Sequence, residues 1–272
     1  MNANKQLWEK GDFTKLADCM RQSGDELVER IGVAAGEQVL DLGCGDGTTA
    51  LPAATRGADV TGVDIAANLV AAGQRRAQAA GLNNITFEEG DASDLAGIAD
   101  DRFDRVVSVF GAMFAPRPDD VAREMVRVTK PGGEIVMGNW IPGDPTLVAQ
   151  ILKTSAAYTP APPEGFISPM LWGNPEVVRE RFAAAGIPED AVTCERDLFT
   201  FRRDCAPADF LDLFLNFYGP TMNAVEAADR DGKGEALRDE LGRLFDSQNV
   251  SGDPQRTEIP AAFLRVTVKK PR

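Results

Sequence analysis

Val39-Leu40-Asp41-Leu42-Gly43-Cys44-Gly45-Asp46-Gly47-Thr48-Thr49 is the stretch on which the fold turns. Val39, Leu40 and Leu42 read as a short buried strand, and a helix can begin at Thr48. Between them, Gly43, Gly45 and Gly47 allow a tight bend with no side chain in the way. Glycine tolerates positive φ there and lets the backbone approach a ligand closely. Alone, such a bend also fits a strand-to-helix connection that binds nothing. The strands downstream decide between the two.

A second strand, Asp59 to Val63, ends at Asp64. A carboxylate at the carboxyl end of the neighbouring strand is placed to accept hydrogen bonds from the ribose hydroxyls of a nucleoside. A third strand, Ile85 to Glu88, leads into Gly90-Asp91-Ala92, and a fourth, Phe103 to Val109, into Phe110-Gly111-Ala112-Met113-Phe114. A helix over about 119–129 then runs into Lys130-Pro131-Gly132-Gly133 and a fifth strand, Glu134 to Met137. Strands alternating with helices across short Gly- and Pro-marked connections predict a parallel sheet covered on both faces.

Taken in order, DLGCGDG, VDI, GDA, FDRVVS and RVTKPGGEI resemble the class I S-adenosylmethionine-dependent methyltransferases over about residues 36–140. The flanking LWEKGDFTKLAD, WIPGD, LWGNPEVV and FYGPT resemble the small-molecule branch related to ubiquinone- and menaquinone-type methyltransferases. The resemblance implies an α/β fold: a Rossmann-like, doubly wound, seven-stranded, mostly parallel sheet. In it the last strand runs antiparallel between the fifth and sixth, and helical insertions form a cap. It also implies S-adenosyl-L-methionine as cofactor. Asp41 and the bend of Gly43, Cys44, Gly45 and Gly47 would then surround the methionine part. Asp64 would hold the ribose, with Ile65 on the adenine. Asp91 would accept from the adenine amino group, with the Ala92 N–H nearby, and Val109 and Phe110 would offer backbone groups to the ammonium. Each acid also has a plainer role open to it, as a loop or helix-capping residue.

A nicotinamide-dependent oxidoreductase is the competing reading of the bend. Here the glycines fall as G-x-G-x-G, not as the G-x-G-x-x-G that sets a pyrophosphate on a helix N-terminus. Asp41 and Asp46 would repel two phosphates, whereas a sulfonium and an ammonium suit them. A third reading is a non-catalytic S-adenosylmethionine-binding protein, against which the long aromatic-bearing cap argues.

The chain of 272 residues is long enough for one α/β domain with a sizeable insertion. The expected organisation is an N-terminal lid and helix (1–35), the cofactor-binding core (36–140), a cap insertion (141–190), and the end of the sheet with a helical insertion at about 206–247 (191–272). No run approaches the ~20 apolar residues of a membrane span, and MNANKQLWEKGD lacks the apolar stretch of a signal peptide, so a cytoplasmic location is expected. Cys19, Cys44, Cys194 and Cys205 show no metal-ligand spacing and are expected to be reduced, with no metal bound. With 42 acidic against 29 basic residues, the chain is poorly suited to gripping a polyanion, so no nucleic-acid partner is expected. A neutral or cationic small molecule fits better.

There are no histidines at all. That excludes a histidine general base, every Ser-His-Asp or Cys-His arrangement and any His-ligated metal. Methyl transfer survives this restriction, because a sulfonium is already activated; orientation can supply several kcal/mol, and aromatic faces can hold cations. Expected pocket residues are Trp8 and Phe13 as a lid, Met113 and Phe114 after the fourth strand, Trp140 after the fifth, Trp172 in the cap, and Tyr218. No catalytic residue can be assigned; Tyr158, Glu164, Tyr218 and Asp144 are the candidates for a base if one is needed. Further elements are a helix from Thr14 to Ile31, a Pro-rich cap from Pro145 to Pro175 and a helix from about Pro175 to Ala185. A strand near Cys194–Phe201, helices from Pro207 through Tyr218 to about Phe245, and a final strand from Phe263 to Val268 complete the reading.

Overall fold

Apolar runs too short for helices, each closed by glycine, are what a sheet buried on both faces demands. The computed structural model, which describes residues 3–272, has that sheet. In chain order its elements are α1 (Ala3–Glu9), α2 (Phe13–Ala17), α3 (Arg21–Arg30), β1 (Gln38–Leu42), α4 (Ala50–Thr55), β2 (Asp59–Asp64), α5 (Ala67–Ala79), β3 (Ile85–Glu89) and β4 (Phe103–Val109). There follow α6 (Pro118–Val128), β5 (Thr129–Trp140), α7 (Leu147–Ala156), α8 (Pro175–Ala184), β6 (Val192–Arg203), α9 (Pro207–Phe217), α10 (Gly219–Arg230), α11 (Gly234–Gln248) and β7 (Thr257–Lys269). The strand order is β3-β2-β1-β4-β5-β7-β6. The β1–β2, β1–β4, β2–β3 and β4–β5 pairs are parallel, and β7 is antiparallel to β5. The doubly wound sheet with its reversed last strand is therefore as expected.

Three local expectations need correction. The helix predicted over Thr14–Ile31 is interrupted by a 3-10 turn at Asp18–Met20, with α2 started separately by Asp12, whose carboxylate accepts from the Thr14 N–H at 3.3 Å. The fifth strand begins at Thr129, not Glu134, and pairs irregularly with β4 near Phe103. The stretch after Pro145, read only as a Pro-rich cap, contains α7, which buries Leu147, Val148 and Ile151. Its prolines bracket the helix and do not enter it.

By packing, the chain divides into two compact units, described separately. The sheet unit comprises 24–141, 167–197 and 263–272. One face of its sheet offers Val39, Val60 and Val107 to Val28 of α3, Ala50 and Ala53 of α4 and Val70 of α5. Phe87 of β3 completes that layer, lying where the backbone is bare at Gly62 and Gly73. Because the buried ring fills the space left at these two glycines, Phe87→Ala should cost about 3–5 kcal/mol in a urea melt. On the other face, α6 contributes Val121, Ala122, Met125 and Val128, and α8 contributes Val178 and Phe182, all fully buried. The Arg181 guanidinium lies 4.5 Å over the buried Trp172 ring.

The helical unit comprises residues up to 23, 142–166 and 198–262. Its core is aromatic: Phe199 and Phe201 of β6, Phe210 and Phe214 of α9 and Phe245 of α11 meet at ring-centroid distances of 5.1–6.3 Å. Offset and edge contacts of this kind add to the area that the rings bury. No helix of the described residues is long and apolar enough to cross a membrane.

Candidate cofactor site

After Leu42 the chain must reverse within a few residues to enter α4, and it does so through left-handed backbone at Gly43 (φ 72), Gly45 (φ 55) and Gly47 (φ 87). The Gly43 and Cys44 N–H groups donate to the Val63 carbonyl at 2.7 and 3.1 Å, binding the bend to the end of β2. At Gly43 the bend meets the turn after β4 backbone to backbone: an added Cβ would lie 2.6 Å from Gly111 Cα. At Gly45 the opposite holds, with nothing within 4 Å of an added Cβ. One glycine is bare for packing; the other borders open space.

Asp64 stands at the end of β2, with Oδ2 accepting from the Gly45 N–H at 2.8 Å and Oδ1 from the Ala66 N–H at 2.9 Å. It thus holds both the turn that leads into α5 and the glycine bend. Asp41, on the neighbouring strand, is 2% exposed, and its Oδ2 has no hydrogen-bond partner. Burial first, and the Asp64 charge second, push its pKa up to about 7, against a pull from the Ala50 N–H. Asp64 is also raised, chiefly by burial, despite backbone donors from Ala66, Gly45 and Ile65. Two acids in a dry site, one of them short of a partner, are costly unless a cation joins them. That is a fit to a ligand carrying a sulfonium and an ammonium.

Asp46 does not belong to this pair. The Arg76 guanidinium of α5 donates to its backbone carbonyl at 2.5 Å and stands 3.4 Å from its carboxylate. As expected, Asp46 adds negative charge to the bend, where it acts on Asp64 and Cys44, while Asp41 and Asp64 are the acids buried within it. The buried Cys44 thiol, pushed well up by burial and by Asp64 and Asp41, contacts the Gly45 carbonyl at 3.5 Å. It fills space between the bend and β2. Among the described residues no cluster suited to a metal ion occurs.

The other expected cofactor residues line the same end of the sheet. Half-buried Asp91 uses Oδ1 to accept from the Ser93 N–H at 2.9 Å and its hydroxyl at 2.6 Å, leaving a tight turn with Ala92 at its apex. Ile65 is half-buried after β2. Val109 closes β4, and Phe110 follows with φ 59, a left-handed conformation that a bulky residue adopts only under strain of about 1–3 kcal/mol. That conformation is fixed by a hydrogen bond from the Phe110 N–H to the Gly138 carbonyl at 2.9 Å, and by Trp140, on which the Phe110 ring stacks at 3.6 Å.

Of the expected pocket residues, four lie in the sheet unit. Met113 is buried and Phe114 half-buried in a 3-10 turn held by the Ala112 N–H to Ser108 Oγ, at 3.0 Å. Trp140 is buried against Phe110, and Trp172 is fully buried against Phe182 and Arg181. The other three, Trp8, Phe13 and Tyr218, come together in the helical unit at centroid distances of 5.8–6.3 Å. Among the candidate bases, Tyr158 donates to Glu240 at 2.9 Å, Asp144 accepts from the Thr146 N–H just ahead of α7 at 2.9 Å, and Glu164 is exposed. Sequence reasoning missed Gly111, Arg76 and the buried Asn139, whose amide nitrogen and oxygen both lack partners at the end of β5. Only Gly111 carried a signal, as a glycine next to an aromatic residue at a strand end.

Comparison with known proteins agrees with this geometry. Residues 39–133 match the family described as a methyltransferase domain. An uncharacterized protein of Mycobacterium tuberculosis is 36% identical over 228 residues, 82% of this chain and 80% of the relative. The methyltransferase GfsG of Streptomyces halstedii is 36% identical over 126 residues, 46% of this chain and 45% of its own. Among solved structures, phosphoethanolamine N-methyltransferase 2 of Haemonchus contortus, in complex with phosphomonomethylethanolamine and S-adenosylhomocysteine, superposes with a TM-score of 0.63 at 16% identity. The match covers 100% of this chain and 61% of that one, and shows a common fold. With the glycine bend, the strand order and these relatives in agreement, the chain belongs to the class I methyltransferases that use S-adenosylmethionine.

Proposed function

We propose that this enzyme transfers the methyl group of S-adenosylmethionine to a small organic acceptor by positioning and desolvation, without a histidine base. The observation that carries the proposal is the buried Asp41–Asp64 pair: Asp41 Oδ2 lacks a partner, and Asp64 holds Gly45, which borders open space. In this proposal Asp41 and the bend of Gly43, Cys44, Gly45 and Gly47 hold the cationic methionine end. Asp64 takes the ribose, Ile65 packs on the adenine, and Asp91 and the Ala92 N–H meet its polar edge. Val109 and Phe110 present backbone groups, which explains the strained φ of Phe110. When bound, the cofactor supplies a methyl carbon on positive sulfur and leaves as the neutral thioether. The chain's own task is to orient the two partners and keep water out.

A small acceptor is supported by the acid surplus, 42 against 29, and by the phosphomonomethylethanolamine carried by a structural neighbour. The test is calorimetry with S-adenosylhomocysteine, wild type against Asp64→Asn, which keeps the shape and removes the charge. Loss of two charge-assisted contacts should weaken binding about tenfold or more; an unchanged affinity would remove Asp64 from the ribose. Release of S-adenosylhomocysteine is then followed across amine, thiol, phenol and carboxylate acceptors. Tight binding with no turnover on any acceptor would favour the non-catalytic reading.

A further inference from the structure

We infer that Arg117 is a positioning residue for the cofactor's adenine: through the Ser93 hydroxyl it fixes which oxygen of Asp91 is left for the base. The inference rests on the cofactor reading proposed above and names the device that sets one of its contacts. All the residues concerned belong to the sheet unit. Asp91 Oδ1 accepts twice from Ser93, from its N–H at 2.9 Å and from its hydroxyl at 2.6 Å. The Ser93 oxygen in turn accepts from the Arg117 guanidinium, from Nη2 at 3.0 Å and Nε at 3.3 Å. Asp91 Oδ2 has no partner among the described residues.

The relay has one direction. A hydroxyl has a single proton and two lone pairs, and arginine only donates. Both lone pairs of Ser93 are therefore taken, and its proton must point at Asp91. Ser93 is 5% exposed, so water has little access to reverse the arrangement. Hydrogen bonds lined up behind a cation also polarise one another. With Oδ1 engaged twice, Oδ2 is the oxygen left for a ligand. In the proposed pose it accepts from the adenine amino group, and the N–H of the next residue, Ala92, donates to the ring. A 6-oxo purine presents acceptor and donor in the reverse order.

The sequence holds Arg117 in place. It lies between Pro116 and Pro118, which restrict the backbone on both sides, and Pro118 opens α6. Its side chain is 56% exposed, so the ion pair with Asp120 at 3.5 Å adds little. What distinguishes it is two donors converging on one buried oxygen. Helix α6 grips the following residues as well: the Leu95 N–H donates to Glu124 Oε2 at 2.6 Å, and Arg127 donates to the Leu95 and Ile98 carbonyls, both at 2.8 Å. Those bonds hold backbone and do not touch Asp91, which makes Arg127 the natural control.

The experiment measures, by calorimetry on the full chain, the affinities for S-adenosylhomocysteine and for S-inosylhomocysteine, its 6-oxo counterpart. Wild type should prefer the adenine form about a hundredfold, because the 6-oxo base sets a donor against a donor and an acceptor against an acceptor. Ser93→Ala should cut that preference about tenfold and Arg117→Met several-fold, and Arg117→Lys, which keeps a charged donor, should restore part of it. The double variant should do no worse than Ser93→Ala alone, since the arginine acts only through the hydroxyl. Arg127→Met should lower the melting temperature and leave the preference as it was. An unchanged preference in Arg117→Met would overturn the relay. So would an arginine effect that persists undiminished in the Ser93→Ala background, which would put Arg117 directly on the ligand. Binding of S-adenosylhomocysteine without any preference in wild type would take Asp91 off the adenine, and the relay with it. A wild type that binds neither compound refutes the cofactor reading, whereas a normal preference in every variant refutes the relay alone.

Discussion

Between pH 5.5 and 7, affinity for S-adenosylmethionine should rise about 15-fold, and Asp41→Asn should flatten that rise. The reason is the Asp41 carboxyl, whose pKa is raised from 3.8 to about 7. Empty, the site holds a proton there below neutral pH; filled by a cation, it favours the carboxylate, so binding must expel the proton. The window lies below the range in which an α-amino group titrates, about 7.7–8.0, so the cofactor's own charge is constant. The same shift acts on the fold with a definite sign. A carboxyl whose native pKa exceeds its unfolded one adds stability below the unfolded value and loses it as pH climbs through the native one. The ligand-free protein should therefore weaken between about pH 4 and pH 7, by up to about 4 kcal/mol from this group. Urea melts at pH 5 and pH 8 check it: Asp41→Asn should outlast wild type at pH 8 and respond little to pH. A wild type whose cofactor affinity ignores pH would show that Asp41 is ionised before binding.

Two glycine substitutions two residues apart should fail in different ways. Gly45→Ala places a methyl group where no protein atom lies within 4 Å, at φ 55. Its fold should pay only the left-handed penalty of about 1–2 kcal/mol, while cofactor affinity falls more than tenfold. Gly43→Ala meets the Gly111 backbone at 2.6 Å and carries φ 72. Backbone cannot swing aside as a side chain can, so the loss of stability should reach about 3 kcal/mol or more. Urea denaturation and calorimetry on both variants separate fold from ligand. Normal cofactor binding by Gly45→Ala would place the cofactor elsewhere.

The order of strands and the glycine bend were legible because they depend on local patterns: apolar runs of strand length, glycine at their ends, an acid after β2. What escaped depends on residues far apart in sequence. Asp46 reads as a charge on the bend, but nothing near it in sequence announces its partner Arg76, which α5 brings to it across 30 residues. Arg181 draws no reading from the sequence, yet it lies over Trp172, with Nη1 buried and unpartnered. Phe110 gives no sign of left-handed backbone, because that conformation is imposed by the Gly138 carbonyl and the Trp140 ring. Helix α7 was concealed by prolines on both sides of an ordinary amphipathic run, Leu147 to Ala156. Asp41 illustrates the same divide for chemistry: its place in the motif is readable, but its raised pKa needs the burial that the assembled sheet provides.

The strand order has a consequence for how the molecule is made. β7 is translated after β6, yet it lies between β5 and β6. During synthesis β6 must wait beside an empty slot, and β5 exposes an open edge, until the segment from Thr257 to Lys269 leaves the ribosome. A ribosome stalled before that point would present the open edge of β5, whose other edge is paired with β4, and an unpaired β6 bearing Leu198, Phe199 and Phe201. That is the nascent form from which chaperones have most to gain.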